Sequence, residues 1–128
     1  MGIEILSIES SFPKKFETIK ELSVNNKNWD TNKIYSSTGI NKRYISGNNE
    51  NIITLSIESA KKLITKQNKK KIGFILFVTQ TSPFKLPSVS CLIQDKLGLS
   101  NDIFASDINM GCSGFIYALK LSESLINL

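Results

Sequence analysis

The stretch Asp107-Ile108-Asn109-Met110-Gly111-Cys112-Ser113-Gly114 contains the side chain best suited to covalent chemistry in this sequence. Cys112 lies between Gly111 and Gly114, where an apolar run that reads as a strand gives way to one that reads as a helix. A thiol at a helix N-terminus meets unpaired amides and the positive end of the dipole, both of which favour an anion. The flanking glycines let the backbone turn tightly and a substrate approach. That combination suits a nucleophile, but it also suits a small buried thiol at a turn, the commoner fate of cysteine. Asp107 reads as structural, fixing the strand end, because a carboxylate near a thiolate opposes its ionisation.

Other chemistries find less support. The cysteines, Cys91 and Cys112, are far apart and the chain has no histidine, so neither C-x-x-C spacing nor an imidazole is available for a metal. A disulfide is not expected in a cytosolic chain. The net charge of +5 comes almost wholly from lysine, Arg43 being the sole arginine, and no nucleic-acid signature accompanies it. Where lysine is so favoured, an arginine suggests use of its planar five-donor fork, either in a structural ion pair or on a carboxylate or phosphate. There is no apolar run long enough to span a membrane and no signal-peptide pattern at the N-terminus, so a cytoplasmic protein without membrane partners is expected.

The elements that must position Cys112 follow from periodicity. Residues 3–8 read as a first strand, and Thr18 to Glu21 match the capping box that opens a short helix. Residues 25–51 form a polar excursion with a helical turn or two between Asp30 and Ser37. Ile53, Ile57, Ala60 and Ile64 repeat at helical spacing over residues 51–66, with Lys61, Lys62 and Lys66 for the wet side. Residues 72–79 are almost continuously apolar, as in a strand buried on both faces of a parallel sheet. Pro87 and Ser88 open a helix that Gly98 ends; residues 103–108 form a third strand and 112–126 a last, largely buried helix. The order βαβαβα specifies an α/β fold, a mostly parallel sheet with helices on both faces.

Three motifs then carry a resemblance: STGINKRYI (37–45), TQTSPFKLPSVSCLIQDKLGL (79–99) and DINMGCSGFIYAL (107–119). In order and spacing they are similar to the N-terminal portion of β-ketoacyl-acyl carrier protein synthase III, a condensing enzyme of the thiolase fold. The resemblance implies fatty acid biosynthesis or a related pathway. Cys112 would accept an acyl group from a coenzyme A thioester and pass it to the carbanion of decarboxylating malonyl-acyl carrier protein. The cysteine amide would help hold the oxyanion, with Gly111 and Gly114 supporting the turn. No cofactor or metal is implied beyond thioester substrates, and the implied partners are acyl carrier protein and a second copy in a homodimer. Leu86 matches a position, often Phe, that closes the partner's acyl pocket in the family; core packing is the other reading. Thr38 and Arg43 fall in the first motif and are implied in substrate binding.

The departures are informative. The family's first motif is commonly W-x-x-x-R-T-G-I, whose Trp and Arg contact the adenine end of coenzyme A. Here those positions are Lys33 and Ser37, and Trp29 stands four residues earlier. Either a rearranged loop still brings Trp29 to adenine, or the acyl group comes from another carrier. The resemblance also requires a histidine and an asparagine from a second half, so the chain reads as a single truncated N-terminal thiolase-like domain over residues 1–128. Alone it is expected not to condense. Two further readings remain open: a noncatalytic assembly or carrier-protein-binding module whose surface lysines suit an acidic partner, and a thiolase-fold enzyme of secondary metabolism using a different donor.

Overall fold

The computed structural model describes residues 2–65 and 67–127. They divide into two compact units: Ser11–Leu55, and a second that joins the residues up to Ser10 with those from Ser56 onward.

In the Ser11–Leu55 unit, strand β1 (Lys15–Thr18) runs into helix α1 (Ile19–Asn25). Thr18 caps that helix reciprocally: Glu21 N donates to its hydroxyl at 3.3 Å, and Thr18 N donates to Glu21 Oε2 at 2.7 Å. Helix α2 (Thr31–Thr38) starts at Asp30, whose carboxylate accepts from Lys33 N. It ends at Gly39, where φ is +68° and only glycine is unstrained. Strand β2 (Lys42–Ile45) then pairs antiparallel with β1, setting Phe16 opposite Tyr44 and Glu17 opposite Arg43. The sequence signals neither strand, because four residues are too few to establish a period. Asn51 begins helix α3 (Ile52–Leu63), its side chain accepting from the amides of Ile53 and Thr54; from Ser56 onward the helix belongs to the other unit.

In the other unit, strand β3 (Phe74–Val78) is parallel to β4 (Phe104–Ile108), and helix α4 (Val89–Leu97) connects them. The register places Phe77 beside Asp107. Ser88 and Gly98 bound α4 as the sequence predicts, with Gly98 at φ +59°. Phe77, Val89, Ile93 and Leu99 form the core here. Helix α5 (Gly114–Ile126) packs against β3.

Two expectations need correction. Residues 3–8 form no strand; Ile5, Leu6 and Ile8 are exposed, and no neighbour supplies the ladder hydrogen bonds that a strand needs. Nor is α5 largely buried: only Gly114 and Ala118 are, while Phe115, Ile116, Tyr117 and Ile126 face outward. A single helix on a two-stranded sheet covers one stripe, and the remaining apolar side chains find no partner among the described residues. Lys66, expected on the wet side of α3, lies outside them.

Two predictions follow from this architecture. β3 and β4 each keep an unpaired outer edge and α5 an uncovered apolar face, so the isolated chain is expected to self-associate. Sedimentation equilibrium should show average mass rising with concentration; a monomer that persists at high concentration contradicts this. The second concerns acid. Hydrogen bonds from Gly47 N and Lys14 N hold the Glu50 carboxyl below its ordinary value, those from Asn25 and then Arg43 lower Glu17, and those from Thr18 lower Glu21. Carboxylates depressed in the folded state stabilise it above their unfolded value, about 4.3 for Glu, and that stabilisation disappears as pH falls through the folded values. Amide exchange in Ser11–Leu55 should therefore accelerate below that range; protection unchanged there argues against these contacts.

Candidate active site

Cys112 stands beyond the C-terminal end of β4, the region of an open α/β sheet where binding and chemistry concentrate. Gly114 N donates to Gly111 O at 2.9 Å, closing a turn with Cys112 and Ser113 at its centre. The helix therefore starts two residues later than the sequence suggests: Ser113 is its N-cap, and its carbonyl accepts from Ile116 and Tyr117 N. Cys112 is exposed and its sulfur is free. The amides of Cys112 and Ser113 donate to no described residue.

The turn is tight without strain. No non-glycine residue among those described has a positive φ, unlike the strained nucleophile elbow of α/β-hydrolases. Gly111 and Gly114 also avoid the left-handed region, so their role is spatial. A Cβ on Gly114 would lie 2.7 Å from Val78 Cγ1 and 3.1 Å from Met110 Cβ. Only a bare backbone brings α5 this close to β3. On Gly111 it would lie 3.0 Å from Gln80 Oε1, the end of a flexible side chain. Gln80 thus abuts the Gly111–Gly114 turn, two residues past β3.

Asp107 is structural, as expected, through a contact of long range. Its two carboxylate oxygens accept from Val89 N at 2.7 Å and Ser90 N at 2.8 Å, the first amides of α4. The Ser88 hydroxyl leaves the N-terminus of α4 uncapped, so Asp107 takes that role from the neighbouring strand. Val89 and Ser90 are wholly buried, and the Ser90 hydroxyl has no partner. Before this joint, the loop from Thr79 to Ser88 borders an open cavity of about 700 Å³ lined by Gln80, Phe84, Lys85, Ser88, Asp107 and Asn109. Leu86, in the same loop, is 83% exposed, so it does not pack into a core in this structure.

Trp29, Thr38 and Arg43 belong to the Ser11–Leu55 unit. Trp29, 54% exposed, lines a shallow groove of about 410 Å³ with Asp30, Lys33, Ile34, Ser37 and Thr38. One turn of α2 separates Lys33 from Ser37, and Trp29 flanks its start, so the displaced tryptophan shares a surface with both departing positions. The Thr38 hydroxyl donates to Ile34 O and accepts from Ile40 N, closing the end of α2. Arg43 forms a cross-strand ion pair with Glu17, its Nε at 2.9 Å and a terminal nitrogen at 2.8 Å from the same oxygen. The described residues contain no group of three His, Cys, Asp or Glu placed to hold a metal, and no helix is long and apolar enough to cross a membrane.

No protein-family model matches the chain. Among curated proteins, β-ketoacyl-[acyl-carrier-protein] synthase III of Acholeplasma laidlawii is 39% identical over 132 residues, covering 99% of this chain and 41% of that protein. The protein of the same name from Clostridium perfringens is 46% identical over 95 residues, covering 73% of this chain and 29% of that one. Solved structures agree. A 3-oxoacyl-(acyl-carrier-protein) synthase III superposes with a TM-score of 0.85 at 32% identity, over 94% of this chain and 36% of that chain. The Aquifex aeolicus synthase III gives 0.82 at 30%, over 98% and 41%. A hydroxymethylglutaryl-coenzyme A synthase complexed with coenzyme A shares the fold alone, at 0.84 and 18% identity. The resemblance to synthase III therefore extends along nearly the whole chain, and the fold is part of the thiolase type. The chain spans about two-fifths or less of the length of these relatives.

The glycine contacts generate a paired prediction. Gly114→Ala should destabilise by about 1–3 kcal/mol, because stiff Val78 and the base of Met110 must both yield. Gly111→Ala should cost less, since Gln80 can swing away. Denaturant unfolding of both variants checks the order; equal costs contradict it.

Proposed function

We propose that this chain carries the acyl-accepting part of a β-ketoacyl-acyl carrier protein synthase III-type enzyme. The observation behind this reading is the exposed thiol of Cys112 at a turn with two unused backbone amides. The thiolate attacks a thioester carbonyl, and the amides of Cys112 and Ser113 steady the negative oxygen. As the tetrahedral adduct collapses, the bond to the donor sulfur breaks. The donor leaves as a thiolate that takes up a proton equivalent to the one Cys112 gave away, and an acyl-Cys112 thioester remains. Malonyl-acyl carrier protein would be the second substrate, in fatty acid biosynthesis or a related pathway of the cytoplasm, with a homodimer as the working form.

Coenzyme A is the favoured donor because Trp29, Lys33 and Thr38 border one groove, giving an aromatic platform beside a cation. A carrier-protein thioester is the other donor within this reading. Leu86, exposed at its loop, would act as the pocket-closing residue toward the partner. Arg43 is held by Glu17, so its contribution to substrate binding would be to fix the β1–β2 pair within this groove-bearing unit.

The chain has no histidine to stabilise a malonyl carbanion, so by itself it should acylate without condensing. With acetyl-coenzyme A, mass spectrometry should find one acetyl group on Cys112, absent in Cys112→Ser, and no β-ketoacyl product when malonyl-acyl carrier protein is added. Turnover would refute the inactivity. Failure of every thioester donor to modify Cys112 would favour the noncatalytic module.

A further inference from the structure

We propose that Asp107 is a positioning residue for the reaction at Cys112, acting through a joint at the end of β4 that holds the loop of residues 79–88 and the Cys112 turn in one arrangement; this assignment rests on the acyl-acceptor reading above. Consecutive residues of β4 hold both ends of that loop. Where it begins, Thr79 N donates to Ile108 O at 3.1 Å. Where it ends, Val89 N and Ser90 N donate to the two carboxylate oxygens of Asp107 at 2.7 and 2.8 Å. Ile108 O also accepts from Met110 N at 3.1 Å, the first step toward the turn that Gly114 N closes on Gly111 O. Three departures thus meet at residues 107 and 108: the start of the loop, its finish, and the approach to Cys112.

Between its ends the loop hydrogen-bonds only within itself. Thr81 N donates to the Thr79 hydroxyl and the Ser82 hydroxyl to Phe84 O, and among the described residues no hydrogen bond joins residues 80–87 to another element. Asp107 and Asn109 border the open cavity together with Gln80, Phe84 and Ser88, so both boundaries of that cavity share the joint as their anchor. A local cap could satisfy the same two amides. Ser88 stands at the N-cap of α4 with an extended backbone, yet its hydroxyl makes no capping hydrogen bond. A cap supplied from β4 adds what a local one lacks, a link between the start of the helix and the end of the strand. In acyl transfer the thioester carbonyl must meet the sulfur and the amides of Cys112 and Ser113 together, and small misplacements cost rate steeply. Asp107 exchanges no proton or bond in that step; it holds the turn in register.

The test separates a joint from a cap. Asp107→Asn keeps one acceptor oxygen and sets an NH2 donor against an amide N–H, which breaks the paired contact. Ser88→Asp, added to it, caps α4 from within its own chain segment and leaves the link to β4 broken. Three quantities are followed in the full chain: amide exchange at Thr79 and Gly114 relative to the amides of β3, acetylation of Cys112 by the N-acetylcysteamine thioester of acetate, and its alkylation by iodoacetamide, which needs no oxyanion donors. In Asp107→Asn the relative exchange should rise about 10-fold and acetylation should fall about 10-fold against alkylation. Ser88→Asp should recover the denaturant midpoint and neither of these. If it recovers them along with the midpoint, Asp107 is a helix cap only and the assignment is overturned. An acetylation-to-alkylation ratio in Asp107→Asn equal to that of the wild type overturns it as well. If the thioester leaves wild-type Cys112 unmodified, the acyl-acceptor reading fails and the reaction role with it, and the exchange rates then state separately whether the joint exists.

Discussion

Asp107 makes the contact on which the unit carrying Cys112 most depends. Its carboxylate leaves β4 and accepts from the first two amides of α4, both belonging to wholly buried residues. Without it, two donors would be stranded where water does not reach, each at a cost of about 1–3 kcal/mol. One side chain thus joins the strand that delivers Cys112 to the helix that follows the Leu86 loop. It also directs a negative charge into a helix N-terminus, where the dipole accommodates it, rather than toward the thiol.

Helix α5 shows a second use of minimal side chains. Gly114 removes the atoms that would hold the helix away from Val78, so close packing and the position of the turn before it are set together. Gly114 is committed to packing, in a backbone conformation open to any residue, while Gly111 and Cys112 stay exposed. Under the proposed acyl-acceptor role, reactivity would rest on unpaired amides in a relaxed turn. No stored strain is required.

Much of this could be read from the residues. Thr18–Glu21 and Ser88–Gly98 announced helix ends through local side-chain chemistry, and the apolar runs located β3 and β4, because these signals act over a few residues. Cys112 and its glycines were legible for the same reason. The β1–β2 pair was not, since its short strands are defined by each other and neither carries a period. Burial of α5 was overestimated because an apolar composition states what a helix can cover, whereas exposure depends on what is present to cover it. Asp107 acquires its role from a partner 18 positions away, and no local pattern encodes that distance.

The distribution of rare side chains has one more consequence. The sole tryptophan, Trp29, belongs to the Ser11–Leu55 unit, whereas both thiols, Cys91 and Cys112, belong to the other. Each unit therefore carries its own native reporter: indole emission for one, and thiol labelling for the other. Whether the two units melt as a single cooperative block or in separate steps becomes readable from the unaltered chain, by comparing two signals that cannot contaminate each other.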